Sequence, residues 1–406
     1  VSIRRLCLAA LLCLAPTMGW SQSRAQLEQQ FSGWLQGTVW PAARQQGVAQ
    51  GTFNAALGGV TPQWDLPGLR GGSGGSQAEF GSPGKYFSRG KVDGATSTGR
   101  QMAQKYGRTL AAVERATGVP GRTILAIWGI ESSYGRAKIP HDVFRILATR
   151  GFLSDRRAYF TNELIAALKI AQTSRIAPAS MRSSWAGAMG QPQFMPSNYL
   201  KYAADGDGDG RADIWRSDAD TMASIGNFLA RHGWQRGRDW GFEVVVPPSV
   251  SCTLEGPDQG RRISDWAKMG VRRVNGKPFP NNELRGEGYL MMPAGRNGPA
   301  FIVTPNFYVL KDYNMSDLYA LFVGHVGDRI QYGVGDFAGR WGKVGGLSRR
   351  DVAAMQRGLE RQGHDVGGAD GLAGFKTRRS IGRWQEATGQ AATCFPEASM
   401  KRALAR

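Results

Sequence analysis

The chain has 406 residues, more than one ordinary core requires, so two or three domains, or one large domain with an added module, are expected. Hydrophobic residues at 41% and charged ones at 20% exclude a disordered chain, four cysteines exclude a disulfide-rich scaffold, and 56 glycines without a period exclude a collagen-like repeat. Lys and Arg number 51 against 32 Asp and Glu, a net charge of +19, which suits an anionic polymer: nucleic acid, acidic lipid or acidic cell wall.

The N-terminal stretch has the layout of a secretory signal peptide over residues 1–25. Arg4 and Arg5 are the basic end, Leu6 to Ala15 the apolar centre, and small and polar residues run to Ala25. The apolar run is too short to cross a bilayer, and no later run is long enough. Neither Cys7 nor Cys13 follows the small-residue pair of a lipoprotein signal, so a soluble, unanchored protein is expected. Secretion demotes nucleic acid as the partner. Cys252 and Cys394 remain in the mature chain; an oxidising compartment permits a bond, but their separation in sequence argues against one.

Pro67 to Gly84 is Gly/Ser-rich and reads as a loop or linker. Residues 100–235 carry helical spacing. From about Phe242 to Val309, runs such as EVVVP, YLMMP and AFIVTP predict a small sheet. Leu318 to Ile330 returns to helical spacing, and Gly333 to Gly346 reads as an interdomain hinge. Two amphipathic helices follow, one lined by Val352, Met355 and Leu359, the other by Ile381, Trp384 and Thr388.

Within TGVPGRTILAIWGIESSYGR, Pro120 suits a helix start, and Ile124, Ile127 and Trp128 form its apolar stripe. Glu131 falls at i+7 on that same stripe. A carboxyl among apolar neighbours is unfavourable when charged, so its pKa rises, as a general acid near neutral pH requires. Spacing alone equally fits a structural carboxylate paired with an arginine or capping a backbone group.

The segments GIESSYGR and WAGAMGQPQFMPSNYLKYAADGDGDGRADIW break that tie. Together with RRAYFTNEL (156–164), HGW (232–234) and NFYVLKDYNMSDLYA (306–320), they resemble the lytic murein transglycosylases of the membrane-bound lytic transglycosylase B family, over about residues 26–335. The resemblance implies an α+β, predominantly helical fold: a lysozyme-like catalytic domain with a β-containing insertion at about 240–310. It implies a periplasmic enzyme acting on peptidoglycan glycan strands at the β-1,4 bond between N-acetylmuramic acid and N-acetylglucosamine. Glu131 would be the single acid/base, with the muramoyl C6 hydroxyl as nucleophile and a 1,6-anhydro product. Ser184, Gln193, Tyr199, Tyr313 and Asn314 correspond to substrate-binding positions, Gln193 through its amide and Tyr199 by stacking on a sugar. The residues themselves also allow Tyr199 in a core and Asn314 as a helix cap. A hydrolytic muramidase would need a second carboxylate, for which Asp142, Asp155 and Glu163 are candidates. A non-catalytic wall-binding scaffold is the reading from another class.

In DGDGDGRAD, Asp205, Asp207 and Asp209 alternate and Gly210 stands where an EF-hand turns; the Arg211 carbonyl and Asp213 follow at positions seven and nine. Position twelve is Arg216 rather than Glu, so Asp220 is the candidate closing ligand. The expected occupant is a structural Ca²⁺ or Na⁺, with no cofactor needed for chemistry. The C-terminal residues 346–405 resemble the three-helix peptidoglycan-binding domain through Gln356, Leu359, Gly363, Asp370-Gly371, Gly374, Thr377 to Arg379, Trp384-Gln385 and Gly389. Residues 336–345 are expected to be a flexible linker. Asp370 and Thr377 are expected to order a turn and cap the helix after it.

Overall fold

The computed structural model describes residues 23–69, 83–342 and 346–404. The expected signal peptide, apart from its last residues, and most of the Gly/Ser-rich stretch lie outside these.

The body is predominantly helical, as expected, and one large core runs through it, containing Trp128, Phe144, Phe194, Phe307 and Phe322. Its central element is the helix Gly121–Ser132, which follows the extended backbone of Pro120. Six consecutive residues, Thr123 to Trp128, are buried, so this helix is enclosed on all sides rather than amphipathic. The helices Arg89–Lys105 and Asp317–Tyr332 pack against it. It stops abruptly: Ser133 and Tyr134 are both left-handed, with φ of 51° and 59°, before Gly135 at 76°. Two such residues in succession are strained, and that strain must be held by tertiary contacts. The contacts come from Tyr134. Its ring folds back edge-on to Trp128, 5.6 Å between centroids, and its hydroxyl donates to the Ala95 carbonyl at 2.6 Å. Gly129 makes room, since a Cβ there would lie 2.6 Å from the Tyr134 ring.

The β-rich region forms one antiparallel sheet in the order Arg261–Arg262, Glu287–Met291, Ala300–Val303, Gly241–Val245, Arg272–Arg273. Ile302 pairs with Leu290 on one side and Phe242 on the other, and all three are buried in a second core with Trp266. Alternate residues on one face of the sheet thus supply that core.

The helices Arg349–Arg361 and Phe375–Ala387 bury Met355, Leu359, Ile381 and Trp384 in a third, small core. Gln356 is its polar hub, donating to Thr377 Oγ1 at 2.9 Å and accepting from Gly371 N at 2.7 Å. Asp370 orders the turn by accepting from Leu372 N at 2.9 Å. Thr377 caps no helix: it is fully buried, and its hydroxyl donates to the Val366 carbonyl at 3.0 Å.

Two expectations are corrected here. Cys252 and Cys394 are bonded despite 142 residues between them. Both are fully buried, because the C-terminal unit docks on the sheet unit and places Cys394 inside the second core. The stretch from 336 does not behave as a free linker either. Phe337 packs on Phe87, Phe301 and His325, and Trp341 stacks on Phe87 at 5.4 Å. Residues 343–345 lie outside the described residues. The docked face also holds a buried ion pair, with Arg378 bonding both oxygens of Glu255 at 2.6 and 3.0 Å. At its edge, Arg379 pairs with Asp258 at 2.8 and 2.9 Å.

Candidate active site

Glu131 sits at the last turn of the buried helix, one residue before the helix ends. It is partly buried, between the buried Trp128 and Ser132. Burial pushes its pKa from 4.5 up to about 7, and a hydrogen bond from Tyr319 opposes the rise. Tyr319 Oη donates to Glu131 Oε1 at 2.6 Å. Burial first, and then the Glu131 charge, push the Tyr319 phenol well above its ordinary value, so it remains a donor. Glu131 is therefore a carboxyl poised to hold or release a proton near neutral pH.

Tyr319 lies in the first turn of the helix Asp317–Tyr332, with its backbone N–H bonded to the Ser316 cap at 3.1 Å. The Tyr313 ring is nearly parallel to it, 6.4 Å away at 11°. The Tyr313 hydroxyl donates to the Pro192 carbonyl at 2.6 Å, which ties the loop bearing Gln193 to the Glu131–Tyr319 pair. Gln193 has a φ of 54° and its amide donates to the Gly190 carbonyl at 2.8 Å, so its own loop holds the side chain. A sharp β-bridged turn, with Ser183 opposite Met189 and Met189 opposite Phe194, presents Ser184 and the half-exposed indole of Trp185. The Arg150 guanidinium lies over that indole, 5.1 Å from its centroid.

The structure thus brings Glu131, Tyr313 and the Gln193 loop together. Two expected residues have other partners. Tyr199 is buried, its hydroxyl donates to the Ala212 carbonyl at 2.8 Å, and its ring packs against Trp215, so no face is left for a sugar. Asn314 is exposed and its side chain accepts from Ser316 N at 3.2 Å, ordering the turn before the Tyr319 helix. Spacing alone passed over two residues. One is Tyr319, a polar-tipped residue on an apolar helix stripe. The other is Gln191, which is buried, accepts from Trp128 Nε1 at 2.7 Å and donates to Asp218 at 3.1 Å, locking the Glu131 helix.

Two of the three carboxylates considered as a second catalytic group are otherwise engaged. Glu163 accepts from the Ser197 N–H and hydroxyl at 2.8 and 2.7 Å, and Asp142 caps a helix through Arg145 N at 2.8 Å. Asp155 is exposed.

In the acidic loop, carboxylate oxygens of Asp205, Asp207 and Asp209 lie within 4.8 Å of one another, a fit for a hard cation. Asp205 accepts from Gly208 N and Gly210 N at 2.6 and 2.8 Å, which holds its carboxyl below the usual range. Asp213 and Asp220 stand apart from this cluster. Asp213 accepts from Trp215 N and Arg216 N, and both Asp220 oxygens accept backbone N–H groups, from Gly206 at 2.8 Å and Asp213 at 2.7 Å. These two shape the loop from within. Among the described residues no helix is long and apolar enough to cross a membrane.

The Transglycosylase SLT domain family matches residues 30–328 of this chain. Membrane-bound lytic murein transglycosylase B of Escherichia coli (strain K12) is 33% identical over 214 residues, 52% of this chain and 57% of that relative. The chain therefore matches little more than half the length of that relative. SltB3 from Pseudomonas aeruginosa, solved in complex with NAG-anhNAM-pentapeptide, superposes with a TM-score of 0.84 at 36% identity, covering 93% of this chain and 99% of its own. The Escherichia coli lytic transglycosylase Slt35, solved in complex with calcium, superposes with a TM-score of 0.59 at 26% identity, covering 76% and 93%.

Proposed function

The chain belongs to the Transglycosylase SLT domain family, and from that premise we propose that it is a periplasmic lytic transglycosylase of peptidoglycan. Glu131 in its protonated form donates to the oxygen linking N-acetylmuramic acid to N-acetylglucosamine. The C1–O bond breaks with oxocarbenium character. Glu131, now a carboxylate, takes the proton of the muramoyl C6 hydroxyl as that oxygen bonds to C1. The products are a 1,6-anhydro sugar and a free 4-hydroxyl, with no water consumed. One carboxyl serves both steps because the nucleophile belongs to the substrate, unlike the two-carboxylate glycosidases.

The observation that carries this reading is the Glu131 site itself: a carboxyl with a pKa raised to about 7, bonded to a tyrosine, and without a carboxylate partner among the described residues. The engagement of Glu163 and Asp142 as caps disfavours the hydrolytic alternative. Gln193 and Ser184 would meet sugar amides and hydroxyls at the cleft. Asp205, Asp207 and Asp209, with the Arg211 carbonyl, would hold a structural Ca²⁺ or Na⁺; the calcium complex of Slt35 supports this. The C-terminal unit would bind the same polymer, and the net charge of +19 suits its carboxylates. The buried disulfide supports an oxidising compartment.

The test is mass spectrometry of muropeptides released from purified sacculi by the wild type and by Glu131→Gln. Release of 1,6-anhydro ends by the wild type, lost in the variant, is expected. Reducing ends one water heavier would replace the proposal with a hydrolase.

A further inference from the structure

The docked C-terminal unit reaches further than its own interface. Arg378 is 2% exposed and its guanidinium is shared three ways. It pairs with Glu255 of the sheet unit, donates to the Ala373 carbonyl at 2.8 Å, and turns Nη2 to Asp317 Oδ2 at 3.4 Å. Asp317 is the first residue of the helix that carries Tyr319. Its other oxygen is held by Lys311 at 2.6 Å. Burial opposes its charge, but Lys311 and Arg378 together hold its carboxyl below the ordinary value. One oxygen of Asp317 thus belongs to the catalytic body and the other to the C-terminal unit.

The first turn of a helix lacks backbone acceptors for its N–H groups, so side-chain contacts set where that turn sits. The chain leading into it is capped by Asn314 and Ser316 but lies open at Met315, which is 79% exposed. A cavity of about 130 Å³ between Met315 and Phe375 leaves the apolar packing beside the contact incomplete. At this point the Arg378–Asp317 contact is the polar tie from the C-terminal unit to the helix start.

Resting on the lytic reading above, we propose that Arg378 is a positioning residue for catalysis: it fixes Asp317 and, through it, keeps the Tyr319 hydroxyl on Glu131. The C-terminal unit is then part of the acid/base machinery and not only a wall anchor. The titratable groups beside the Glu131–Tyr319 bond are Tyr313, on the preceding helix, and Tyr86, which faces Tyr319; Tyr308 faces the Arg378–Asp317 pair. The Tyr319 bond opposes the upward push of burial on Glu131. Loosening it raises the Glu131 pKa, keeps the acid protonated to higher pH, and misplaces the carboxyl.

The experiment uses the full chain and a short soluble glycan fragment, so that anchoring to the wall is not read. Asp317→Asn leaves the Arg378–Glu255 pair in place, and Arg378→Lys keeps the charge. Both are expected to lower kcat about tenfold with KM within about twofold, as a misplaced acid does. Both should move the alkaline limb of the kcat–pH profile upward, in the direction of Tyr319→Phe, and add nothing to Tyr319→Phe in the double variants. Asp317→Glu should recover most of the loss. Unchanged kcat and an unmoved limb in both variants would overturn the proposal. If the wild type makes no anhydro ends, the lytic reading fails by itself. The positioning claim is then decided by infrared titration of the Glu131 carboxyl, where no upward shift in Asp317→Asn refutes it.

Discussion

Replacing Glu131 by Gln should stabilise the protein, and only above a definite pH. The carboxyl titrates at 4.5 when free and at about 7 in the fold, because burial disfavours its charge. A group whose folded pKa is raised binds its proton more tightly in the native state. Below pH 4.5 both states are protonated and the site costs nothing relative to an amide. Between 4.5 and about 7 the native state holds a proton that the unfolded chain releases, and stability falls with rising pH. Above about 7 the full penalty is present, on the order of 3 kcal/mol for that difference in pKa. Gln at 131 removes the charge and keeps an oxygen to accept from Tyr319. Urea unfolding of both proteins at pH 4 and pH 8 reads the effect. The variant should match the wild type at pH 4 and exceed it by about 2–3 kcal/mol at pH 8. A gain equal at both pH values, or a loss at pH 8, would refute a desolvated acid at this position.

The burial of Tyr199 predicts that Tyr199→Phe costs about 1 kcal/mol, from the lost bond to an Ala212 carbonyl that keeps the Ile214 N–H, and leaves KM for glycan fragments unchanged. A raised KM would return Tyr199 to the substrate site. For the acidic loop, millimolar Ca²⁺ should raise Tm by a few degrees, EGTA should reverse it, and Asp205→Asn should abolish it without changing turnover. A Tm indifferent to Ca²⁺ in the wild type would remove the metal.

Glu131 was legible because a carboxyl on an apolar stripe violates the expected pattern, and that violation survives folding. The β-rich insertion was legible from its alternating, proline-closed runs. Tyr319 was harder to find because a tyrosine on a buried stripe satisfies the pattern, and its hydroxyl partner lies 188 residues away. Gln191 and Gln193 share one motif, and spacing does not tell which amide turns inward. The left-handed backbone at Gln193 sends its side chain to its own loop while Gln191 enters the core. Arg378 looked like one more charge in a basic module, since its two acidic partners come from distant segments. The Cys252–Cys394 bond escaped for the same reason: distance along the chain says little once two units dock.

That bond makes a closed ring of the chain from 252 to 394, and Tyr313, Tyr319, Asp317 and Arg378 all lie on its circumference. A single cut within the ring opens it without releasing a fragment. A nick between the catalytic body and the C-terminal unit yields a two-chain enzyme, and reduction must follow before the unit is shed. Tension on the C-terminal unit is likewise borne through sulfur into the sheet, in parallel with the peptide that joins the two. The C-terminal unit and the helix that bears Tyr319 form one mechanical part, so a pull on that unit is felt beside Glu131 itself.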